Sequence, residues 1–299
     1  MEATKKPASM KVMNHTFPLA GVVVLYNPNE TVLKTIQSYL PALEMLFVVD
    51  NSDQKNDELA NRIQKLPHTT YIDNQGNQGI AHALNVGAQL AITKKYQWLL
   101  TMDQDSTASP GMLELMCAFI ANHPVEKVGI LSPFHSLNGE KPPTHSEVET
   151  VLTTMTSGNL LNLSAYQAVG PFEEKLFIDY VDHEYCLRLH RHGYAIMQLN
   201  TAILQHQLGN FQESTVAGHT VGYTNHNHVR RYYITRNRLY VANKYKDFAT
   251  FSEREKREFW LEIRKILLFE RDKYRKLQSI AKGYRDYKRG TFGKISTRG

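Results

Sequence analysis

A chain of 299 residues has room for one large domain, or one domain with an appendage. A hydrophobic share of 42% is enough for a sizeable core and excludes a disordered chain. The formal charge of +6 is uneven: residues 253–299 hold 15 Lys and Arg against 7 Asp and Glu, and what precedes them is slightly acidic.

No run of about 18 apolar residues occurs, so no membrane-spanning helix is expected. Residues 1–18 lack the apolar stretch of a secretory signal and read as a short frayed lead-in. Cys117 and Cys186 each fall in an apolar stretch that reads as helix. A disulfide framework is therefore not expected, and a reducing cytoplasm fits.

In chain order, residues 20–26 (AGVVVLY) read as a buried strand. Asn29 can cap a helix through Leu40, with Val32, Leu33, Ile36 and Leu40 on one face. A second strand over 45–49 ends at Asp50, Asn51 and Ser52. A third over 69–72 runs into a polar loop from Asp73 to Gly79. A helix follows, with Ile80, Leu84, Ala88 and Ala91 on its face. Asn85 and Gly87 inside it lower helix propensity, and close packing would explain Gly87. A fourth strand over 98–102 stops at Asp103, Gln104 and Asp105. Pro110 opens a further helix, and 128–131 is a fifth strand.

This alternation predicts an α/β fold, a mostly parallel sheet with helices on both faces. Ligands of such sheets bind beyond the carboxyl ends of the strands. Four polar clusters fall there: Tyr26 with Asn27, the Asp50 cluster, the loop around Asn77, and Asp103 to Asp105.

The second half is less periodic. Residues 133–150 read as a surface loop and 151–156 as a strand before Ser157, Gly158 and Asn159. Residues 182–192 read as a helix stopped by Gly193. Strands are predicted over 195–199 and 202–205, the latter ending at His206. Residues 207–228 show no period and predict a mobile loop, and the pattern is helical from Val229 onward.

Asp103 and Asp105 can both reach one hard cation such as Mg²⁺ or Mn²⁺, which takes one or two carboxylates and fills its shell with water and phosphate oxygens. Such a metal offsets charge on a departing diphosphate. A solvated turn is the alternative. Asp50 can accept hydrogen bonds from a pyrimidine imide or a ribose hydroxyl, or close an Asx-turn. Gly79 before a helix N-terminus allows close approach of an anion. No GxxxxGK[ST] and no strict GxGxxG is present. Asp182 at a helix start can serve as a general base or as a simple cap. His206, directly after a strand, can be a third metal ligand or structural.

Taken together, VVVLYNP, VVDNSD, DNQGNQGIAHALNVGA, WLLTMDQDS, TSGNLLNLSAYQAVGPFEE, DYVDHEYCLRLHRHGY and the QH pair resemble family 2 of the inverting glycosyltransferases. The resemblance covers residues 19–210 or thereabouts and implies the GT-A fold, a Rossmann-like sheet with helices on both faces. DYVDHEYCLR and RRYYITRNRLY narrow it to bacterial rhamnosyltransferases of O-antigen, lipopolysaccharide and capsule assembly. The narrower resemblance implies dTDP-L-rhamnose as donor; another nucleotide sugar, UDP-linked, is the alternative.

By position, the resemblance assigns Tyr26, Asn27 and Asp50 to the base and ribose, and Asn77 and Gly79 to the nucleotide pocket. On the same resemblance Asp103 and Asp105 would hold metal and diphosphate, with His206 completing the metal shell. Ser157, Gly158 and Asn159 would border the sugar and acceptor. Asp182 would be the base, with Glu184 supporting the acceptor pocket. Many members carry Glu-Asp where this chain has Val181 and Asp182, which makes Asp179 a rival acid. Arg231, Arg236 and Asn237 are candidates to reach the diphosphate, with helix surface charge as the alternative. The implied organisation is a lead-in over 1–18, a catalytic domain over 19–228 with its nucleotide-sugar half ending at 131, and a basic helical region over 229–299.

That basic region mixes Phe259, Trp260, Ile263, Ile266, Leu267, Leu268 and Phe269 with Lys and Arg. A basic amphipathic helix can lie on an anionic membrane. This suits an acceptor on a polyprenyl diphosphate and a peripheral place on the inner face of the bacterial plasma membrane. Packing on the catalytic domain or a homodimer contact is the alternative. A metal-dependent nucleotidyltransferase would need a triphosphate-binding loop near the first strand, which 26–29 does not offer. A nucleic-acid partner is not expected, although Tyr232, Tyr233 and Tyr240 lie among basic residues.

Overall fold

The computed structural model describes residues 18–295 apart from 138, 207–210 and 217–218; the side chains of 206–221 are also outside the described set. All of the expected lead-in but Pro18 falls outside it.

The chain opens with β1 (Ala20–Leu25), α1 (Thr31–Gln37), β2 (Met45–Asp50), α2 (Asp57–Gln64), β3 (Thr69–Asp73), α3 (Ile80–Thr93) and β4 (Trp98–Asp103). Next come β5 (Thr107–Ala108), α4 (Met112–Asn122), β6 (Val128–Leu137), β7 (Val148–Thr150) and β8 (Asn159–Asn162). After α5 (Leu163–Val169), α6 (Val181–Arg191) and β9 (Ala195–His206), a hairpin forms from β10 (Phe211–Val216) and β11 (His219–Thr224). Three helices end the chain: α7 (His228–Lys244), α8 (Ala249–Leu268) and α9 (Lys273–Arg289).

The main sheet has the order β3-β2-β1-β4-β8-β6-β9-β5, with β7 also on β9. The first four strands are parallel, as their alternation with helices requires. The second half is mixed. β8 runs antiparallel to both β4 and β6, β5 and β7 run antiparallel to β9, and only β6 and β9 are parallel there. No helix separates β6 from β8, and a parallel pair would need such a crossover.

Several boundaries differ from the sequence expectation. The strand placed at 151–156 is irregular chain, and the paired strand is β8. β6 and β7 take both ends of the loop expected over 133–150. The strands expected at 195–199 and 202–205 are one, β9, whose pairing with β6 slips between Pro133 and Phe134. The aperiodic loop expected over 207–228 contains β10 and β11. Their sequences, FQESTV and HTVGYT, carry the Thr, Val and aromatic residues that favour strands.

Alternate residues of the strands feed two cores. Val22, Val24, Phe47 and Val49 pack with α3, α5 and α6, while Val23, Leu25, Leu46 and Val48 pack with α1, α2 and α4. A Cβ at Gly87 would sit 2.4 Å from Val22 Cγ2, so glycine is what lets α3 lie against β1. Ile234, Val241 and Tyr245 place α7 in the same core as α6. Both cysteines are free. Among the described residues, no helix is long and apolar enough to cross a membrane.

Candidate active site

Because β2, β1 and β4 are parallel, their carboxyl ends share one edge, with Leu25 beside Asp50 and Val24 beside Asp103. Gln104 joins two of these ends: its Oε1 accepts from Tyr26 N at 2.9 Å and its Nε2 donates to Tyr26 O at 3.2 Å. Asn27, in the left-handed region, donates its N–H to Ser52 Oγ at 2.7 Å. Asp50 is buried; its Oδ1 accepts from Ser52 N at 2.8 Å, closing an Asx-turn, and its Oδ2 accepts from the Tyr71 hydroxyl.

The loop before α3 is braced to this edge. Asn51 Nδ2 donates to Gly79 O at 3.0 Å, and Asn77 Oδ1 accepts from Gly79 N at 2.9 Å. Gly79 has φ +93°, and a Cβ there would lie 2.7 Å from Phe177 O. Tyr26, Asn27, Asp50, Asn77, Gly79 and Asp103 thus come together. Tyr26 is 45% exposed, leaving a ring face open at the rim.

Asp103 ends β4, its N–H donating to Ser157 Oγ at 3.0 Å. Burial, then Asp105 and Asp182, push its carboxyl up to about 7 against the pull of Arg230. Asp182 therefore lies close to Asp103, although 79 positions separate them in the sequence. Asp182 stands in the first turn of α6, and its Oδ1 lies 2.9 Å from His183 Nδ1 and 2.8 Å from His183 N. Burial works to raise this carboxyl, but the charge and hydrogen bonds of His183 outweigh it and hold it below the usual range.

Asp179 differs. Burial raises its carboxyl although Arg230 Nε and Nη2 reach its Oδ1 at 3.2 and 3.1 Å, and its Oδ2 is buried without a partner. Neighbouring carboxyl groups driven in opposite directions are the arrangement that separates an acid or ligand role from a base role.

Among the described residues, no three His, Cys, Asp or Glu side chains form a ready metal cluster, and the His206 side chain is outside that set. The donor chemistry nevertheless fits a hard cation. Asp103 and the exposed Asp105 offer carboxylate oxygens at an open edge, suited to Mg²⁺ or Mn²⁺ that takes its remaining oxygens from substrate and water.

Ser157, Gly158 and Asn159 also reach the centre. Gly158 N donates to Thr101 O at 2.7 Å. Asn159 Nδ2 donates to Met155 O at 2.6 Å, and its Oδ1 is buried without a partner. Asn159 and Asp182 line one small cavity with Thr101, Thr154 and Tyr185. Buried polar atoms left unpaired are uncommon, and three of them, on Asn159, Tyr185 and Asp179, belong to residues that share the Asp182 cavity or lie within three positions of Asp182.

Four expected site residues lie elsewhere: Glu184, Arg236, Arg231 and Asn237, the last fully buried with its Nδ2 donating to the carbonyls of Leu176, Ile178 and Asp179 rather than reaching a diphosphate. Glu184, expected at the acceptor pocket, is fully buried, its carboxylate shared by Arg188 at 2.8 Å, Lys244 at 2.9 Å and the Tyr245 hydroxyl at 2.7 Å. It stands two positions after Asp182, which turns it to the other side of α6. Arg236, expected at the diphosphate, is also fully buried and donates to the carbonyls of Leu176 and Gly293. Arg231 is buried as well, its Nη2 donating to Thr224 O at 2.7 Å and to Glu270 Oε1 at 2.6 Å.

The cation that does reach the acidic centre is Arg230, one position earlier, and an Arg-Arg pair carries no helical phase in the sequence to tell the two apart. His183 was visible beside Asp182 without a role. Lys294, whose Nζ lies 3.4 Å from Asp53 Oδ1 and 3.2 Å from Asn77 O, gave no signal at all.

The glycosyl transferase family 2 sequence model matches residues 22–175. The dTDP-rhamnosyl transferase RfbF of Shigella flexneri is 26% identical over 249 residues, covering 75% of this chain and 79% of that protein. The fold resembles GalNAc-T7 crystallised with UDP, GalNAc and Mn²⁺, with TM-score 0.59 and 13% identity over 77% of this chain and 48% of that one. It also resembles S. aureus TarS, with TM-score 0.55 and 15% identity over 85% of this chain and 44% of that one. The chain spans less than half the length of these two. Residues 1–349 of TarS with UDP-GlcNAc give TM-score 0.54 and 15% identity, over 91% and 73% of the two chains. These likenesses carry the fold, a GT-A-like mixed sheet flanked by helices. With just over half of its length matched by the family, the chain belongs to glycosyl transferase family 2 and is a glycosyltransferase.

Proposed function

We propose that the protein is an inverting rhamnosyltransferase, moving L-rhamnose from dTDP-L-rhamnose to a hydroxyl of a lipid-linked or oligosaccharide acceptor in bacterial surface polysaccharide synthesis. The donor rests on the likeness to a dTDP-rhamnosyl transferase. The observation that carries the mechanism is the place of Asp182, 2.9 Å from His183 Nδ1 and lining one cavity with Asn159 and with Thr101 of β4.

Asp182 takes the proton of the acceptor hydroxyl as its oxygen attacks the anomeric carbon. The bond from that carbon to the diphosphate oxygen breaks, dTDP leaves, and configuration inverts. Tyr26, Asn27, Asp50, Asn77 and Gly79 cradle the nucleotide, while Ser157, Gly158 and Asn159 border the sugar. A divalent cation bound by Asp103, Asp105 and His206 would offset the charge of the leaving diphosphate. Asp182→Asn should lower turnover roughly a hundredfold or more with donor binding intact. Near-normal turnover overturns the base assignment.

A UDP-linked donor is the rival, since GalNAc-T7 and TarS were crystallised with UDP or UDP-GlcNAc. A thermal-shift panel with and without Mn²⁺ separates them. Stabilisation by dTDP-rhamnose that requires metal supports the first reading; a larger shift with a UDP-sugar replaces it.

Peripheral membrane attachment is supported by α8. Trp260, Leu261, Leu267 and Leu268 are exposed at helical spacing, the last by 68%, amid the basic residues of the C-terminal region. Loss of flotation on anionic vesicles when Trp260 and Leu268 are both changed to Ser is the expected result. Equal flotation excludes this face.

A further inference from the structure

The turn that delivers Asp182 has an unusual backbone. Phe177, Asp179 and Tyr180, none of them glycine, have φ of +67°, +62° and +67° within four residues. Such conformations persist only where surrounding structure imposes them, and they gather at functional sites.

What imposes them is α7. Asn237, fully buried, directs its Nδ2 at three carbonyls of this turn: Leu176 O at 2.8 Å, Ile178 O at 2.8 Å and Asp179 O at 3.0 Å. Its amide is held in that sense by Arg236, whose Nε donates to Asn237 Oδ1 at 3.0 Å. Arg236 Nη2 donates to Leu176 O at 3.1 Å, so the two neighbours grip the same segment. One and two turns earlier on α7, Tyr233 stacks on Phe177 at 5.3 Å, and Arg230 binds the Asp179 carboxylate. The turn is thereby tied to the donor loop as well, because Phe177 O accepts from Ile80 N at 2.8 Å.

We infer that Asn237, oriented by Arg236, is a positioning residue for the transfer reaction: it clamps the strained turn 177–180 so that Asp182 enters α6 aimed at Asp103. The segment matched by the family ends at residue 175, just before this turn, and α7 grips the turn from outside that segment. Asn237 is fully buried and acts through the turn it holds. This inference rests on Asp182 being the base.

The test uses the full chain. Asn237→Ala and the milder Asn237→Ser, which keeps one donor, are compared with wild type and Asp182→Asn. The expected result is a kcat lowered about 10- to 100-fold, donor KM within about twofold, and an unchanged thermal shift with the donor nucleotide. A role in stability alone would lower the melting temperature and leave kcat per folded molecule intact. A folded Asn237 variant with wild-type kcat, beside an inactive Asp182→Asn, overturns the clamp. An active Asp182→Asn overturns the base assignment instead.

Discussion

Asp182 and His183, consecutive residues on α6, shift each other in opposite directions: the carboxyl lies below its usual range and the imidazole above its own, although burial opposes both shifts. A base must be ionised to work, so activity is present above the Asp182 pKa and lost as pH falls through it. Replacing His183 by Gln removes the charge that lowers this pKa and leaves only the backbone hydrogen bonds to oppose burial. The acidic limb of the kcat/KM profile should therefore move to higher pH, and turnover near pH 5 should drop more than turnover near pH 8. An acidic limb that does not move disconnects His183 from the base.

The strand-end clusters were legible because β1, β2 and β4 are apolar runs that stop abruptly at polar residues. The downstream aspartates were legible as types but not as neighbours, since Asp182 meets Asp103 only through the mixed second half of the sheet. There the strands lack a helix-alternating rhythm, and β8 was displaced in the reading by the apolar stretch at 151–156. In α7 the difficulty is physical. Every residue from Arg231 to Arg238 is buried, so no amphipathic period marks which arginine faces the site.

Glu184 distinguishes packing from acceptor binding. Its carboxylate has no exposed surface and is matched by Arg188 and Lys244. Removing one partner of a buried pair leaves charge uncompensated, at about 3–5 kcal/mol. Glu184→Ala should show that loss in urea unfolding, while the folded fraction keeps its acceptor KM. A normal unfolding midpoint with a raised acceptor KM would return Glu184 to the pocket.

Asp105 offers the cleanest test of the metal. It is exposed, so Asp105→Asn should fold with an unchanged melting temperature. If a divalent cation stabilises the leaving diphosphate by several kcal/mol, turnover should fall by roughly a hundredfold. The Mn²⁺-dependent part of the donor-induced thermal shift should vanish as well. EDTA treatment of wild type should reproduce both effects. Full activity in EDTA would exclude the metal role for this pair.

Gly158 and Gly139 separate backbone strain from crowding. Both have positive φ, +82° and +84°. A Cβ at Gly139 meets nothing within 4 Å, whereas one at Gly158 would lie 2.9 Å from Leu204 Cδ2 and Pro133 Cγ. Gly139→Ala should cost only the left-handed backbone term, about 1–2 kcal/mol. Gly158→Ala adds overpacking of about 1–3 kcal/mol, or it relaxes by shifting the backbone of 157–159. Because Ser157 Oγ holds Asp103 N and Asn159 borders Asp182, that shift should also reduce turnover, which Gly139→Ala should leave unchanged. Equal unfolding free energies and equal turnover in the two variants would mean that the 157–159 segment is not tightly packed against the acidic centre.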